Sequence, residues 1–169
     1  TEIRGVLSDN QNNIILTGTY SSEELELAEG QNIQNKGTTD VFLASYDPEG
    51  TLLWSVSFGG IQPDYVRDIC TDSEGNIYIT GNFRSNTLYI GGTEVTSDWP
   101  DNAYAAKFDS DGNFQWLIHS EKNTSYLQGT GITCSPGNEI IFTGFTTGDA
   151  MSFDKVDLTT DNGWYKGYY

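Results

Sequence analysis

A chain of 169 residues with a net charge of −16 is long enough for one domain with a proper core, and its acidity argues against nucleic acid and anionic membrane surfaces, which repel it. No window approaches the roughly 18 apolar residues of a membrane span, and two cysteines do not make a disulfide framework. Nineteen Gly, ten Tyr, eight Phe and four Trp against one Met suit many short strands joined by tight turns.

Residues Ile3–Asp9 read as a first strand, Asn10–Asn13 as a polar turn and Ile14–Tyr20 as a second strand. The segment DNQNNIILTGTY from Asp9 recurs as DSEGNIYITGNF from Asp72 and as SPGNEIIFTGFT from Ser135, so that Thr17, Thr80 and Thr143 stand 63 residues apart. Val6, Ile69 and Ile132 keep the same spacing. A period of this size means repeat architecture. Ile14–Leu16, Ile77–Ile79 and Ile140–Phe142 are apolar at every position, which requires both faces of the strand to be covered, whereas a three-repeat trefoil barrel would cover one. Gly18, Gly81 and Gly144 at the strand ends point to a bulge or a close backbone approach.

Ser21–Gly30 begins like a helix capping box, with Ser21 three residues before Glu24. Leu25 and Leu27 nevertheless match Leu88 and Ile90, then Met151 and Phe153, always two apart, so the segment is predicted to be strand. Gln31–Thr39 is polar and reads as loop. Asp40–Gly60 matches Asn102–Lys122 at a spacing of 62, aligning Asp47, Gly50 and Trp54 with Asp109, Gly112 and Trp116. Each copy is strand, D-x-x-G turn, strand. Asn162–Tyr169 fits the strand of Asp40–Asp47. The chain is therefore predicted to be all-β, a single domain of about three tandem repeats of about 62 residues: 1–60, 61–122 and a truncated 123–169. With neither an initiator Met nor a leader, it reads as mature, trimmed or a fragment.

The pattern carried by Asp72–Phe83, Leu88–Gly92, Tyr104–Gly112 and Trp116 resembles the bacterial β-propeller repeats called SBBP-type, close to the variant of long secreted surface proteins of Bacteroidetes-like bacteria. The resemblance implies antiparallel propeller-type blades in an extracellular or cell-surface protein, and adhesive, spacer or scaffold roles without a shared active site. Its YDPEGTLLW hairpin also looks like the quinoprotein propeller repeat, but no quinone chemistry can be placed on these residues. Propellers close with 4–8 blades, so an incomplete set implies a longer chain or copies joined through open blade faces and edges.

Several residues are candidates for binding. Asp109, Asp111 and Asn113 could present oxygens to Ca²⁺; the alternative is a turn capped by its own Asp. Trp99, which has no counterpart in the other repeats, sits among Asp98, Asp101 and Asn102, a set suited to stacking and hydrogen-bonding a sugar; the alternative is a loop anchor or a contact to another chain. Trp54, Trp116 and Trp164 read as packing residues. Cys70 aligns with Thr133 and Cys134 with Thr71, one residue out of register, so the two point to opposite faces of equivalent strands and can meet across one blade interface as a disulfide or as two buried thiols. Asn123 heads an N-x-[ST] glycosylation sequon. His119 lacks a nucleophile at a useful spacing. Glu23, Glu24, Glu26 and Glu29 read as a solvated edge that resists pairing.

The functional expectation is a non-catalytic extracellular structural or interaction module, without a cofactor unless Ca²⁺, whose partners are other protein chains or copies of itself. A carbohydrate-binding module around Trp99 is the alternative. A carboxylate-based hydrolase or lyase is the third reading, since glycosidases need paired carboxyls roughly 5–10 Å apart and nothing in the sequence brings a chosen pair together.

Overall fold

Among the residues described by the computed structural model — 1–98, 101–121 and 126–147 in full, and further on the backbone of Ala150–Phe153, Val156–Thr159 and Trp164–Tyr168 — every regular element is a β-strand. Strands β1 (Glu2–Ser8), β2 (Ile14–Tyr20), β3 (Glu24–Ala28), β4 (Gln31–Gln34), β5 (Asp40–Tyr46) and β6 (Leu52–Phe58) form a first unit. In it β1, β2, β5 and β6 lie side by side in that order, all antiparallel, and β3–β4 is a hairpin inserted between β2 and β5. The second unit repeats the plan with β7 (Asp64–Thr71), β8 (Ile77–Phe83), β9 (Thr87–Ile90), β10 (Thr93–Thr96), β11 (Asn102–Phe108) and β12 (Phe114–Glu121). The third begins likewise: β13 (Leu127–Cys134), β14 (Ile140–Thr146), the hairpin β15 (Ala150–Phe153) and β16 (Val156–Thr159), then β17 (Trp164–Tyr168) beside β14.

Within Ser21–Gly30, Glu24–Ala28 is strand, where the two-residue periodicity outweighs the capping-box signal. The Gln31–Thr39 segment departs from the loop expectation, because Gln31–Gln34 folds back as β4 on β3. Its only apolar residue is Ile33, so periodicity was silent; a turn through Gly30 at a φ of 71° sets the pairing. The last strand differs by one residue from its sequence alignment. Tyr165, not Trp164, pairs with Gly144 as Phe42 pairs with Gly18 and Tyr104 with Gly81. That register puts Gly167 at the position of Ala44 and Ala106, keeping a small residue opposite Leu16, Ile79 and Phe142.

A bulge interrupts the first strand of each unit, between Ile3 and Gly5, Val66 and Asp68, and Gly129 and Gly131. Gly18, Gly81 and Gly144 lie opposite these bulges. A Cβ on Gly81 would stand 2.0 Å from the Tyr65 carbonyl oxygen, and one on Gly18 2.2 Å from that of Glu2. The recurring glycine therefore answers to the extra residue that bends the neighbouring strand inward.

Hairpins also tie successive units. Tyr89 of β9 bridges to Gly59 just after β6, and Ser152 and Phe153 of β15 pair with Glu121 and Ser120 of β12. The second and third inserted hairpins thus attach to the end of the preceding unit's outer strand.

Candidate functional site

Successive units meet through apolar faces. Alternation along each strand sends odd and even side chains to opposite faces, and both are apolar here. Val66, Ile69, Ile77 and Ile79 of the second unit face the first, where they meet Leu7, Ile15, Leu43, Val56 and Phe58 in one cluster. On the other face of the second unit, Tyr78, Ala103 and Ala105 join Leu127, Ile132 and Ile140 of the third.

Polar contacts repeat with the same period. The Trp54 indole N–H donates to the Ser110 carbonyl at 3.2 Å, and its ring covers Gly112, where a Cβ would stand 2.6 Å from the ring. Gly112, at a φ of 80°, thus suits both the turn and the tryptophan of the preceding unit. The turns between each unit's first two strands also touch in series. Asn10 donates to the Ser73 carbonyl at 3.3 Å, and the Ser73 hydroxyl donates to Asn138 at 2.9 Å.

On the first unit the corresponding face is open. Ile3, Val6 and Ile14 are 52%, 65% and 41% exposed, and Leu16 beside them is half-buried. Their counterparts 63 residues on, Val66, Ile69, Ile77 and Ile79, lie in or against the first inter-unit core. The β3–β4 hairpin, through Leu25, Leu27 and Ile33, packs with Tyr20, Phe42 and Ala44 and so covers the remainder of that face. β3 pairs only with β4 among the described residues, so the edge equivalent to the Tyr89 bridge is open too. The exposed Glu23, Glu24, Glu26 and Glu29 surround it. The repeat alignment identifies the equivalent positions, and the coordinates show that the first copy is the uncovered one.

The D-x-x-G carboxylates turn inward. Asp109 Oδ1 accepts the Asp111 and Asn113 backbone N–H groups at 3.0 and 2.8 Å, and Oδ2 accepts the Asn113 and Gln115 side-chain amides at 3.0 and 3.1 Å. Burial raises its pKa, the Asn113 and Asp111 hydrogen bonds lower it, and the net result is below the usual carboxylate value. Asp72 is held the same way, and also accepts the Tyr78 hydroxyl at 2.9 Å. Among the described residues no three His, Cys, Asp or Glu side chains group to hold a metal.

The sugar-site candidates occupy different settings where they are described. Trp99 lies outside the described residues, as does Asn123. Asp98 is exposed, Asp101 is ion-paired with Arg84, and Asn102 is fully buried at the start of β11. His119 contacts the Ser120 carbonyl through Nδ1 at 3.0 Å and sets its ring edge-on to Phe83. Trp116 packs at 6.1 Å from Tyr78.

Sequence reasoning passed over two buried aspartates beside the first interface. Asp64 accepts from the Gly60, Arg84 and Ser85 backbone N–H groups and from the Ser85 hydroxyl, which fixes the crossing between units. Asp40 accepts only the Lys36 N–H, at 2.9 Å, and its Oδ1 is buried without a hydrogen bond. Burial, together with the nearby Asp64 charge, raises the Asp40 pKa to about 6 from 3.8, against the lowering effect of the Lys36 bond. A carboxyl with a raised folded-state pKa stabilises most below 3.8 and loses that contribution as pH rises through 6. Asp40→Asn is therefore expected to gain about 1–3 kcal/mol over the parent at pH 7 and little at pH 3.5. Denaturant unfolding of both proteins between pH 3.5 and 7 checks this; an advantage that does not grow with pH refutes it. Asn102 already fills the equivalent position in the second unit.

Residues 53–82, which run from β6 through β7 into β8 and span the first junction between units, match the family model described as Beta-propeller repeat. This chain carries a β-propeller repeat of the SBBP type. It is also 24% identical, over 91% of its length, to an uncharacterized WD repeat-containing protein of Acanthamoeba polyphaga mimivirus, and 34% identical, over 46% of its length, to the regulatory protein FlaEY of Caulobacter vibrioides. The chain spans 13% and 8% of those relatives' lengths. With the propeller repeat in place, each unit is a blade, built as an antiparallel four-stranded sheet where the fourth strand is present. Repeats of the propeller and WD type generally mediate protein–protein interaction and are usually non-catalytic.

Proposed function

We propose that this chain is a non-catalytic structural and interaction module whose first blade docks the opposite face of another blade of the same construction, supplied by a further stretch of chain or by a second copy. One observation carries the reading: Val6 and Ile14 are exposed, whereas Ile69 and Ile77 are covered by the preceding blade. The occupant is recognised by its chemistry. It would present an apolar face like that of Leu7, Ile15, Leu43 and Val56, with an outer-strand end to bridge β3. Glu23, Glu24, Glu26 and Glu29 would discourage less specific pairing at that edge. The acidity of the chain supports an extracellular or cell-surface setting, and Ca²⁺ is not needed by this reading.

Fully burying an aliphatic side chain contributes about 1.5–3 kcal/mol. The pair Val6→Glu and Ile14→Glu would both withdraw that gain and place charge in the contact. Light scattering from about 5 to 200 μM is expected to show self-association of the parent, and at least about 100-fold weaker association of the double variant, which corresponds to about 2.8 kcal/mol. Because both positions are exposed in the single chain, its thermal midpoint in the dilute, unassociated range should remain within about 2 °C of the parent's. A double variant that associates equally well overturns the proposal; a parent that stays monomeric throughout the range rules out the second copy as the source of the docking blade.

A further inference from the structure

Cys70 and Cys134 face each other across the junction of the second and third blades. Cys70 lies one residue before the end of β7, Cys134 at the end of β13, and both are half-buried free thiols. They pack on one apolar cluster with Tyr78, Ile132 and Ile140. The counterparts of this pair 63 residues earlier are Leu7 and Thr71, so the two sulfurs stand at positions that carry no thiol at the preceding junction.

Face-to-face sheets usually stand about 10 Å apart, too far for a disulfide, whose Cα atoms lie about 4.4–6.8 Å apart. At this junction the strands come closer. Asp68 Oδ2 accepts the Ile132 backbone N–H at 2.9 Å, so one short side chain spans from β7 to the backbone of β13. The cysteines lie two residues farther along the same two strands. A glycine of β13 permits the approach. A Cβ on Gly129 would stand 2.2 Å from Thr80 Oγ1 and 3.2 Å from the Gly81 nitrogen.

We propose that Cys70 and Cys134 form a reversible disulfide that fastens the third blade to the second. The neighbouring Cys134 and burial push the Cys70 thiol up, while the neighbouring Cys70 lowers Cys134, so Cys134 is the readier of the two to act as the thiolate. With a small-molecule disulfide as oxidant, the Cys134 thiolate attacks one of its sulfurs, forms a mixed disulfide and releases one thiolate, which takes up a proton. Cys70 then gives up its proton and attacks the Cys134 sulfur, releasing the second small thiol. Two protein thiols and one external disulfide thus become one protein disulfide and two external thiols, and excess dithiol reverses the exchange.

The full chain, reduced and desalted, would be incubated with oxidised glutathione, alkylated with iodoacetamide and mapped without reduction. Expected are a monomer that has lost two hydrogens, no alkylation or retained glutathione, and one linked pair of peptides containing Cys70 and Cys134. The linkage should raise the thermal midpoint by about 5–15 °C, reversibly with dithiothreitol. Two alkylated thiols, a stable glutathione on each cysteine of the parent, or disulfides only between molecules would overturn the proposal.

Discussion

Gly81→Ala is expected to destabilise the chain by about 3 kcal/mol or more, a loss read directly in denaturant unfolding. The added methyl would stand 2.0 Å from the Tyr65 carbonyl oxygen and 2.9 Å from the Val66 Cα, backbone atoms that cannot rotate out of the way. Relief requires moving β7 away from β8 at the bulge between Val66 and Asp68, the place that also carries Asp68 toward the third blade. Damage should therefore reach the second junction as well. Gly50→Ala is the matched comparison. Gly50 has a φ of 86° with nothing within 4 Å of an added Cβ, so alanine there meets the left-handed backbone cost of about 1–2 kcal/mol and no clash. Equal losses at the two sites would refute the close-approach explanation of the repeated glycine.

That glycine was legible in the sequence because it recurs at one spacing in a strand otherwise rich in apolar residues. The all-apolar runs were equally legible: they demand cover on both faces, and Ile77, Tyr78 and Ile79 are all buried. In the first blade the same run leaves Ile14 exposed, and only coordinates tell which copy lacks its cover. β4 escaped notice because its sequence, QNIQ, has too little apolar content to show a period; pairing with β3 makes it a strand. The one-residue offset at β17 arose because aromatics crowd that segment, so Trp164 competes with Tyr165 for the place of Phe42, and hydrogen-bond register decides. At Asp101 and Asn102, residue type carries no information about direction: one carboxylate is paired with Arg84 and the amide side chain is buried. The opposed facing of Cys70 and Cys134 was legible from their offset, because side-chain direction in a strand follows parity. Their close approach was not, since it depends on Gly129 and the Asp68 bond.

Phe58→Ala is expected to cost about 3–5 kcal/mol and to separate the melting of the first blade from that of the second. Phe58 belongs to the last strand of the first blade, yet its ring is fully buried against the second, 6.1 Å from both Tyr104 and Phe108. Truncation would leave a cavity between blades, lined by rings already locked by their own packing: Tyr104 lies 6.2 Å from Phe83 and Phe108 5.9 Å from Phe114. Collapse into the space is therefore limited, and the loss should lie toward the upper part of the range. In a linear array, stability is the sum of each repeat's own folding and the coupling to its neighbours. Weakening a coupling lets the less stable side unfold first, so calorimetry should resolve two transitions where the parent shows one. Leu53→Ala, at a half-exposed site one strand position from Trp54, should change stability by about 0.5 kcal/mol or less and keep a single transition. If Phe58→Ala loses under about 1 kcal/mol, the blades do not share a core. The exposed Val6 and Ile14 could then no longer be read as half of one, because the docking surface draws its chemistry from the junction that Phe58 fills.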